Sequence, residues 1–355
     1  MALAGLAFIA GCSLALPEPE EDSVSPTAML PDACSGELAD AAGQKLMVRM
    51  EDTATPELLG AAREGEIGGV ILFPTSPEPT EALAAQVAKL QRAAAAGARP
   101  PLLVATDQEG GPVERFEGPP DIAPAELDAA GGAAEARRQG EATGRLLAGL
   151  GVNVDLAPVL DVGVPGASVD SRTFGDQPAA VAELGGAFAD GLEASGVDPV
   201  VKHFPGIGRT FANTDLEPTA IGAGAGVLET DIEPFRAAID AGVPAVMVAN
   251  AAYPALGSAE PAVTAPEIVT DLLRERLGFH GVAFSDDLLA GAISSSLGPE
   301  EAAIESSAAG VDVLLFAAAP VSGIADQLAA AAKSGKLDER QLRESCARVV
   351  ALKLG

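Results

Sequence analysis

The 355-residue chain is poor in aromatic side chains, in basic residues and in cysteine. It has no tryptophan and one tyrosine, and aromatic residues make up 3% of it, whereas glycine and small aliphatic residues are abundant. This composition predicts a core that packs small side chains between helices and a parallel sheet. Only 22 basic residues accompany 51 acidic ones, for a formal charge of −29. A field of that sign repels phosphate backbones, which argues against nucleic-acid binding.

Several cofactor signatures are also missing. No Gly-x-Gly-x-x-Gly motif follows a predicted strand, and the P-loop pattern does not occur. With two histidines in the chain, no histidine pair and no tight carboxylate cluster has the spacing of metal ligands. The sequence therefore implies neither a nucleotide cofactor nor a metal ion, and we expect no cofactor.

Residues 1–35 have the composition of an export and anchoring segment with a linker. The first 16 residues are almost wholly apolar and contain Ile-Ala-Gly-Cys at 9–12, which resembles a bacterial lipobox whose cysteine, Cys12, becomes lipidated. A stretch rich in proline and acidic residues follows at 17–22, as expected of a solvated linker. An ordinary buried helix is the alternative interpretation. We expect an exported lipoprotein held at the outer face of the cell membrane by its lipid anchor.

The remaining cysteines fit an oxidising compartment. Once Cys12 is lipidated, Cys34 and Cys346 remain, near the two ends of the folded region. A closed barrel brings its first and last elements together, so a disulfide between these two residues is geometrically plausible. The alternative is two unrelated buried thiols.

Short apolar runs alternate with helical patterns over residues 36–355, which we treat as one domain. The eight runs cover 45–49, 68–73, 101–107, 152–159, 198–203, 245–250, 282–287 and 311–316. Continuous apolar strands with helix-length connections are typical of a parallel sheet covered on both faces. Eight such strands favour an α/β fold of the single (β/α)8, TIM-type barrel class over an open doubly wound sheet.

Charged residues stand where several of these runs end. They are Asp107, Asp161, Lys202 with His203, and Asp286 with Asp287, and Arg172 lies on the loop after the fourth run. The carboxyl ends of barrel strands and the loops after them form the active face of such a fold. Carboxylates alternating with Lys, His and Arg suit a polyhydroxylated ligand, which needs hydrogen-bond acceptors and donors.

Motifs at these positions resemble glycoside hydrolase family 3, in that family's order and spacing. They are Thr-Asp-Gln-Glu-Gly-Gly at 106–111, Ser-Arg-Thr-Phe-Gly-Asp at 171–176, Lys-His-Phe-Pro-Gly at 202–206 and Phe-Ser-Asp-Asp-Leu at 284–288. The subgroup that the chain resembles comprises single-domain bacterial β-N-acetylglucosaminidases that trim peptidoglycan fragments. The resemblance implies a retaining hydrolase of β-linked N-acetylhexosaminides, with a carbohydrate as its partner. We expect the protein to be a monomer.

The resemblance also implies roles for individual residues. Asp286 matches the nucleophile, which attacks the anomeric carbon and forms a covalent glycosyl-enzyme. The residues that match those holding the sugar in the −1 subsite are Asp107, Arg172, Lys202 and His203. In the family the Lys-His and Phe-Pro peptide bonds of the third motif are often cis, so a cis Phe204–Pro205 bond is expected.

The family's general acid/base is missing from its usual place. The family motif continues with a second histidine and an aspartate and then reaches an Asp-Ser-His triplet, on a mobile loop, whose histidine donates the proton. Here Ile207 and Arg209 occupy the first two positions, and Asn-Thr-Asp at 213–215 replaces the triplet. Pro112 and Asn250 also replace the arginine and histidine that are usual in the family. Asn250 is a candidate to bind a sugar hydroxyl or to support the rim.

Three interpretations of the altered loop stay open. In the first, Asp215 replaces the histidine as a carboxylic acid, with Glu217 as a second candidate. In the second, the protein is a slow hydrolase that opens activated glycosides and is poor on natural ones. In the third, it is a catalytically impaired cell-surface lipoprotein that only binds sugars. The intact nucleophile position, Asp286, favours a hydrolase, because binding alone does not need it.

Overall fold

The structure is a computed structural model and describes residue 1, residues 32–317 and residues 322–355. Cys12 and most of the predicted leader lie outside the described residues. The strands are β1 (Leu46–Met50), β2 (Gly69–Leu72), β3 (Leu103–Thr106), β4 (Val154–Asp155), β5 (Asp198–Phe204), β6 (Ala245–Val248), β7 (Ala252–Tyr253), β8 (Ser258–Pro261), β9 (Val282–Ser285) and β10 (Leu314–Phe316). Strands β7 and β8 form a small antiparallel pair, and the other strands form one sheet.

The main sheet is parallel throughout and closes into a barrel. Its strand order is β10-β1-β2-β3-β4-β5-β6-β9, with each neighbouring pair parallel. The sheet closes between β9 and β10, where Phe284 and Val313 form a parallel bridge and the Ser285 N–H donates to the Val313 carbonyl at 2.8 Å. The predicted (β/α)8 barrel is confirmed.

Helices surround the barrel and connect its strands. The α-helices are α1 (Asp32–Ser35), α2 (Leu38–Gly43), α3 (Pro56–Glu64), α4 (Glu81–Ala96), α5 (Leu127–Ala130), α6 (Gly132–Gly149), α7 (Pro178–Glu193), α8 (Ala225–Asp240), α9 (Gly291–Ser294), α10 (Pro299–Ala309), α11 (Ile324–Ser334) and α12 (Glu339–Leu354). A π-helix spans Glu267–Arg276, and short 3-10 turns cover Pro124–Glu126, Asp170–Arg172, Pro254–Leu256 and Ala262–Thr264. None of the helices in the described ranges combines the length and the hydropathy needed to cross a bilayer.

Local sequence sets where these helices begin and end. Helix α3 begins after Thr55, whose side chain accepts the Leu58 N–H, and has Pro56 in its first turn. It ends at Gly65, whose φ of 81° is a left-handed conformation that favours glycine. Asp338 caps α12 in the same way as Thr55 caps α3, by accepting the Gln341 N–H. These signals lie in the sequence itself, so the helix boundaries are set locally.

Alternating strand side chains divide the apolar core into two parts. In β2, Ile71 belongs to a cluster inside the barrel, whereas Val70 and Leu72 belong to the larger cluster packed against the helices. The inner cluster also contains Met47 and Phe284, from opposite sides of the barrel closure. The barrel interior is therefore filled by side chains, as in other closed eight-stranded sheets, and a ligand must bind at one of its ends.

The two ends of the folded chain are covalently joined. Cys34 in α1 and Cys346 in α12 form a disulfide, across a sequence separation of 312 residues. The Arg343 guanidinium reinforces the junction by donating to the carbonyls of Cys34 at 2.7 Å and Gly36 at 3.0 Å. The bridge that the cysteine count made plausible is thus present in the structure.

An ionic cluster lies near the amino-terminal ends of the strands. Asp312, fully buried, accepts hydrogen bonds from Arg274 at 2.5 Å and from Arg348 at 2.9 Å. Lys45, one residue before β1, donates to the Val311 carbonyl at 2.8 Å and to the Ser345 hydroxyl at 2.6 Å. Burial lowers the pKa of Lys45 to about 7, because its hydrogen-bond partners are neutral and Asp312 compensates only in part.

Candidate active site

The structure brings the predicted sugar-binding residues together at the carboxyl ends of the strands. Asp107 follows β3, Lys202 and His203 end β5, and Asp286 follows β9. Arg172 comes from the 3-10 turn Asp170–Arg172, on the loop between β4 and α7. These elements all lead to one rim because parallel strands end at the same edge of the sheet.

Glu109 joins two of these cations. Lys202 Nζ lies 2.8 Å from Asp107 Oδ1 and 2.5 Å from Glu109 Oε1. Arg172 binds Glu109 with two hydrogen bonds, from Nε to Oε2 at 2.8 Å and from Nη2 to Oε1 at 2.7 Å. Arg115 occupies the other oxygen of Asp107, at 3.2 Å. We call Asp107, Glu109, Arg172 and Lys202 the sugar clamp.

Glu109 and Lys202 of the clamp are ionised although they are buried. Burial alone would raise the pKa of Glu109, but Lys202 and Arg172 outweigh it and hold that pKa at about 2. Burial would lower the pKa of Lys202, yet Asp107 and Glu109 raise it above its ordinary value. Arg172 remains 22% exposed, whereas Glu109 and Lys202 are at most 2% exposed. The clamp therefore offers fixed positive and negative groups to a ligand at neutral pH.

His203 is held by a carboxylate beneath the rim. Its Nδ1 lies 2.7 Å from Asp161 Oδ2, and its Nε2 lies 3.4 Å from Arg172 Nη2. The other Asp161 oxygen accepts the Ile207 N–H at 2.7 Å. Because a carboxylate can only accept, Nδ1 is the donor, and the ring orientation is fixed with Nε2 on the clamp side. The expected cis bond at Phe204–Pro205 is present, and Lys202–His203 is cis as well.

Two hydrogen bonds hold Asp286, and a third holds its neighbour Asp287. Its N–H donates to the Val248 carbonyl at 3.1 Å, and its Oδ1 accepts the Asp287 N–H at 2.7 Å. Asn250 donates from Nδ2 to the Asp287 carbonyl at 2.8 Å, which supports its interpretation as a rim-stabilising residue. Burial raises the pKa of Asp286, and the negative charge of Asp215 raises it further.

The two candidates for the proton donor are both exposed, but they differ in their electrostatic effect on Asp286. Asp215 is exposed on the loop between β5 and α8, and its charge acts on both Asp286 and Asp287. Its carbonyl accepts the Gly291 N–H at 2.8 Å, so this part of the loop lies against the segment that follows Asp286. The Glu217 side chain is also exposed, and within the described ranges no hydrogen bond or ion pair links it to Asp286.

The profile of the glycosyl hydrolase family 3 N-terminal domain matches residues 37–352. The chain belongs to glycoside hydrolase family 3. A protein from Xanthomonas campestris pv. campestris (strain B100), named beta-hexosaminidase, is 37% identical to it over 231 residues, which are 62% of this chain and 68% of that one.

Solved structures of the family have the same architecture as this family 3 hydrolase. A beta-N-acetylhexosaminidase from Beutenbergia cavernae is 35% identical, with a TM-score of 0.82 over 91% of this chain and 100% of that one. A family 3 beta-N-acetylglucosaminidase from Paenibacillus sp. is 33% identical, with a TM-score of 0.84 over 88% of this chain. This chain spans 61% of the Paenibacillus chain.

Sequence reasoning missed three contributors to the site of this glycoside hydrolase. Glu109 lies inside the motif at 106–111 but was given no role of its own, and Arg115 lies four residues beyond that motif. Asp155, on β4, accepts the Gln108 N–H at 2.9 Å, and burial raises its pKa well above the ordinary value. The signal for Glu109 was available, because a carboxylate two residues after Asp107 stands within the motif.

In the described part of the chain, no group of His, Cys, Asp and Glu side chains is arranged to hold a metal ion.

Proposed function

We propose that this hydrolase cleaves β-linked N-acetylhexosaminides with retention of configuration, with Asp286 as the nucleophile and Asp215 as the acid/base. The observation that carries the proposal is the partly buried carboxylate of Asp286 on the same rim as the sugar clamp. The names of the Xanthomonas and Beutenbergia relatives support the substrate class. Asp215 is the carboxylate of the altered loop whose charge reaches Asp286.

The proposed reaction has two steps that reuse the same carboxylates. In the first, the ionised carboxylate of Asp286 attacks the anomeric carbon, the bond to the leaving oxygen breaks, and protonated Asp215 gives that oxygen its proton. In the second, Asp215 takes a proton from water, and the resulting hydroxyl displaces Asp286 from the anomeric carbon. Each step inverts the anomeric configuration, so the product retains that of the substrate.

The sugar clamp would orient the ring for this attack. Asp107 and Glu109 supply acceptors for hydroxyl protons, and Arg172 with Lys202 supplies donors for hydroxyl or carbonyl oxygens. Because the clamp side chains already bind one another, they lose little further freedom when the ligand arrives. His203, fixed by Asp161, adds a ring nitrogen on the same side.

The first test compares an activated and an unactivated substrate. Hydrolysis of nitrophenyl N-acetylglucosaminide and of chitobiose is measured for wild type, Asp286→Asn, Asp215→Asn and the control Glu217→Gln. Asp286→Asn should lose turnover of both substrates by a factor of about 10⁴ or more, as for removal of other catalytic nucleophiles. Asp215→Asn should lose about 10²–10⁴-fold on chitobiose and far less on the nitrophenyl glycoside, whose leaving group needs little protonation.

Each alternative has its own outcome in that series. Full chitobiose activity in Asp215→Asn would remove Asp215 as the acid/base, and a loss in Glu217→Gln would assign the role to Glu217. If wild type turned over neither substrate but bound N-acetylglucosamine, the protein would be a sugar-binding lipoprotein. Observation by NMR of the α-anomer as the first product would contradict retention.

We also propose that the protein is exported and anchored through Cys12, and that its natural substrates derive from peptidoglycan. The disulfide between Cys34 and Cys346 supports an oxidising compartment. Cys12→Ala should release the protein from the membrane fraction, and a mature membrane form without an added lipid mass would contradict the anchor. Release of N-acetylglucosamine from purified muropeptides tests the substrate, and light scattering in solution tests the proposed monomer.

A further inference from the structure

The loop that carries Asp215 is anchored where it leaves the barrel. It runs from Gly206, after β5, to Thr219, before α8. The buried Tyr253 hydroxyl donates to the Gly206 carbonyl at 3.0 Å, and the Ile207 N–H donates to Asp161 at 2.7 Å. Gly208 lies so close to the β4–α7 loop that a Cβ added to it would be 2.0 Å from the Val162 carbonyl oxygen. The first residues of the loop therefore have little room to move.

Arg209 ties the first part of the loop to a helix. Its guanidinium makes two hydrogen bonds to the buried carboxylate of Asp231 in α8, from Nε at 2.6 Å and from Nη2 at 2.8 Å. Two parallel hydrogen bonds between a guanidinium and a carboxylate fix both groups in orientation as well as in distance. The base of the loop is closed by the Thr210 and Thr219 hydroxyls, which lie 3.3 Å apart.

The far end of the loop rests on the segment after the nucleophile. The Gly291 N–H donates to the Asp215 carbonyl at 2.8 Å, and the Ala292 N–H donates to the Thr214 carbonyl at 3.0 Å. A Cβ added to Gly291 would be 2.2 Å from the Leu216 carbonyl oxygen, so the loop contacts this residue directly. Anchors on α8 and on the segment after Asp286 thus hold the stretch between them.

We propose that the contacts of this chain hold the loop latched over the catalytic rim, with the Arg209–Asp231 ion pair as the latch. Arg209 is then a positioning residue, which acts by keeping the Asp215 backbone against the segment that follows Asp286. The role of Asp215 rests on the proposed function, whereas the latched state of the loop does not.

Hydrogen exchange of the ligand-free protein tests the latch. The amides of Thr210, Leu216, Gly291 and Ala292 are hydrogen-bonded in the structure and should exchange slowly. Arg209→Met should speed their exchange by about tenfold or more, while amides of β9 stay unchanged. The control is Arg276→Met. It removes the π-helix arginine from an exposed ion pair with Glu229, which lies on α8 like Asp231, and it should leave the loop unchanged. Saturating N-acetylglucosamine should alter the wild-type loop little.

Three further variants strengthen the test. In Asp231→Asn the loop should exchange as fast as in Arg209→Met, and the double variant should be no faster than either, because both changes break the same pair. Gly291→Ala should loosen the far end of the loop alone. Arg209→Met should also lower kcat on chitobiose on the order of tenfold with little change in KM, since the donor is misplaced rather than the sugar clamp.

The opposite results would overturn the latch. Fast exchange of the wild-type loop, slowed by N-acetylglucosamine, would show a mobile lid instead. Unchanged exchange in Arg209→Met would remove the ion pair as the latch. If Asp215→Asn were fully active, the proposed acid/base would fail, but the exchange rates would still decide whether the loop is latched.

Discussion

The two ends of this barrel each hold a buried carboxylate between cations, yet they suit different purposes. At the carboxyl ends of the strands, Glu109 lies between Arg172 and Lys202. At the amino-terminal ends, Asp312 lies between Arg274 and Arg348. Both acids are kept ionised by their partners, and the pKa of each is lowered despite its burial.

The two lysines show where the difference lies. Lys202 contacts two carboxylates, and its pKa is raised, so it stays charged. Lys45 donates to a carbonyl and a hydroxyl, and burial lowers its pKa to about 7. The clamp thus keeps charges at the mouth of the barrel for a ligand, whereas the opposite cluster uses its cations to join the strands to α12 and the π-helix. Under the proposed function, similar ionic chemistry serves ligand binding at one end of the barrel, and it serves cohesion at the other.

Among the changes that compare the two ends of the barrel, Glu109→Gln should have the largest effect. The change leaves Arg172 without an ionised acceptor and Lys202 with Asp107 alone, so the clamp should lose its geometry. We expect kcat/KM to fall by about 10²-fold or more, as for other misplaced binding groups. Breaking the buried ion pair should also cost about 3–5 kcal/mol of unfolding free energy. Steady-state kinetics and urea unfolding measure the two losses, and wild-type kcat/KM in a folded Glu109→Gln would contradict the role of the clamp.

Asp312→Asn is the matched change at the opposite end. It removes the acceptor of Arg274 and Arg348. As with Glu109→Gln, we expect a loss of about 3–5 kcal/mol of unfolding free energy. Because the cluster lies away from the rim, kcat/KM of the folded enzyme should equal that of wild type. The measurement is urea unfolding with kinetics at low temperature. A parallel loss of kcat/KM would show that the two ends of the barrel are coupled.

The smallest effect at neutral pH is expected from Lys45→Met. The pKa of Lys45 is about 7 in the folded protein, against 10.5 ordinarily, so between these pH values the unfolded chain binds more protons. Stability should therefore rise with pH across this window, by up to about 1 kcal/mol per pH unit. Lys45→Met lacks this contribution, and the difference between the two urea-unfolding curves at pH 7 to 10 isolates it. If the two proteins showed the same pH dependence of stability, the pKa of Lys45 would not be lowered in the folded protein.

Short-range sequence signals predicted the frame of the molecule and part of the site. Each of the eight apolar runs contains or adjoins a barrel strand, and Asp107, Arg172, Lys202 and His203 meet because strand ends converge. The π-helical winding of Glu267–Arg276 was not predictable, since its apolar side chains suit an ordinary helix equally well.

Pairings between distant residues were beyond sequence reasoning. Lys45 and Ser345 bond across 300 residues, and no local pattern indicates which buried polar groups will meet. The contact of Arg209 with Asp231 is of the same kind, although the two lie 22 residues apart. Arg209 was noticed only as a departure from the family motif, because its partner is on a different element.

The bridge between α1 and α12 also determines how the barrel would bear a mechanical load. A pull on the N-terminal segment reaches Cys34 and passes through the disulfide into α12, the last helix of the fold. Helices α1 and α2 therefore cannot be peeled away while the bridge is intact, and force must act on first and last elements together. In a protein tethered at its N-terminus, shear at the surface would be shared by the whole barrel wall rather than borne by one terminal helix.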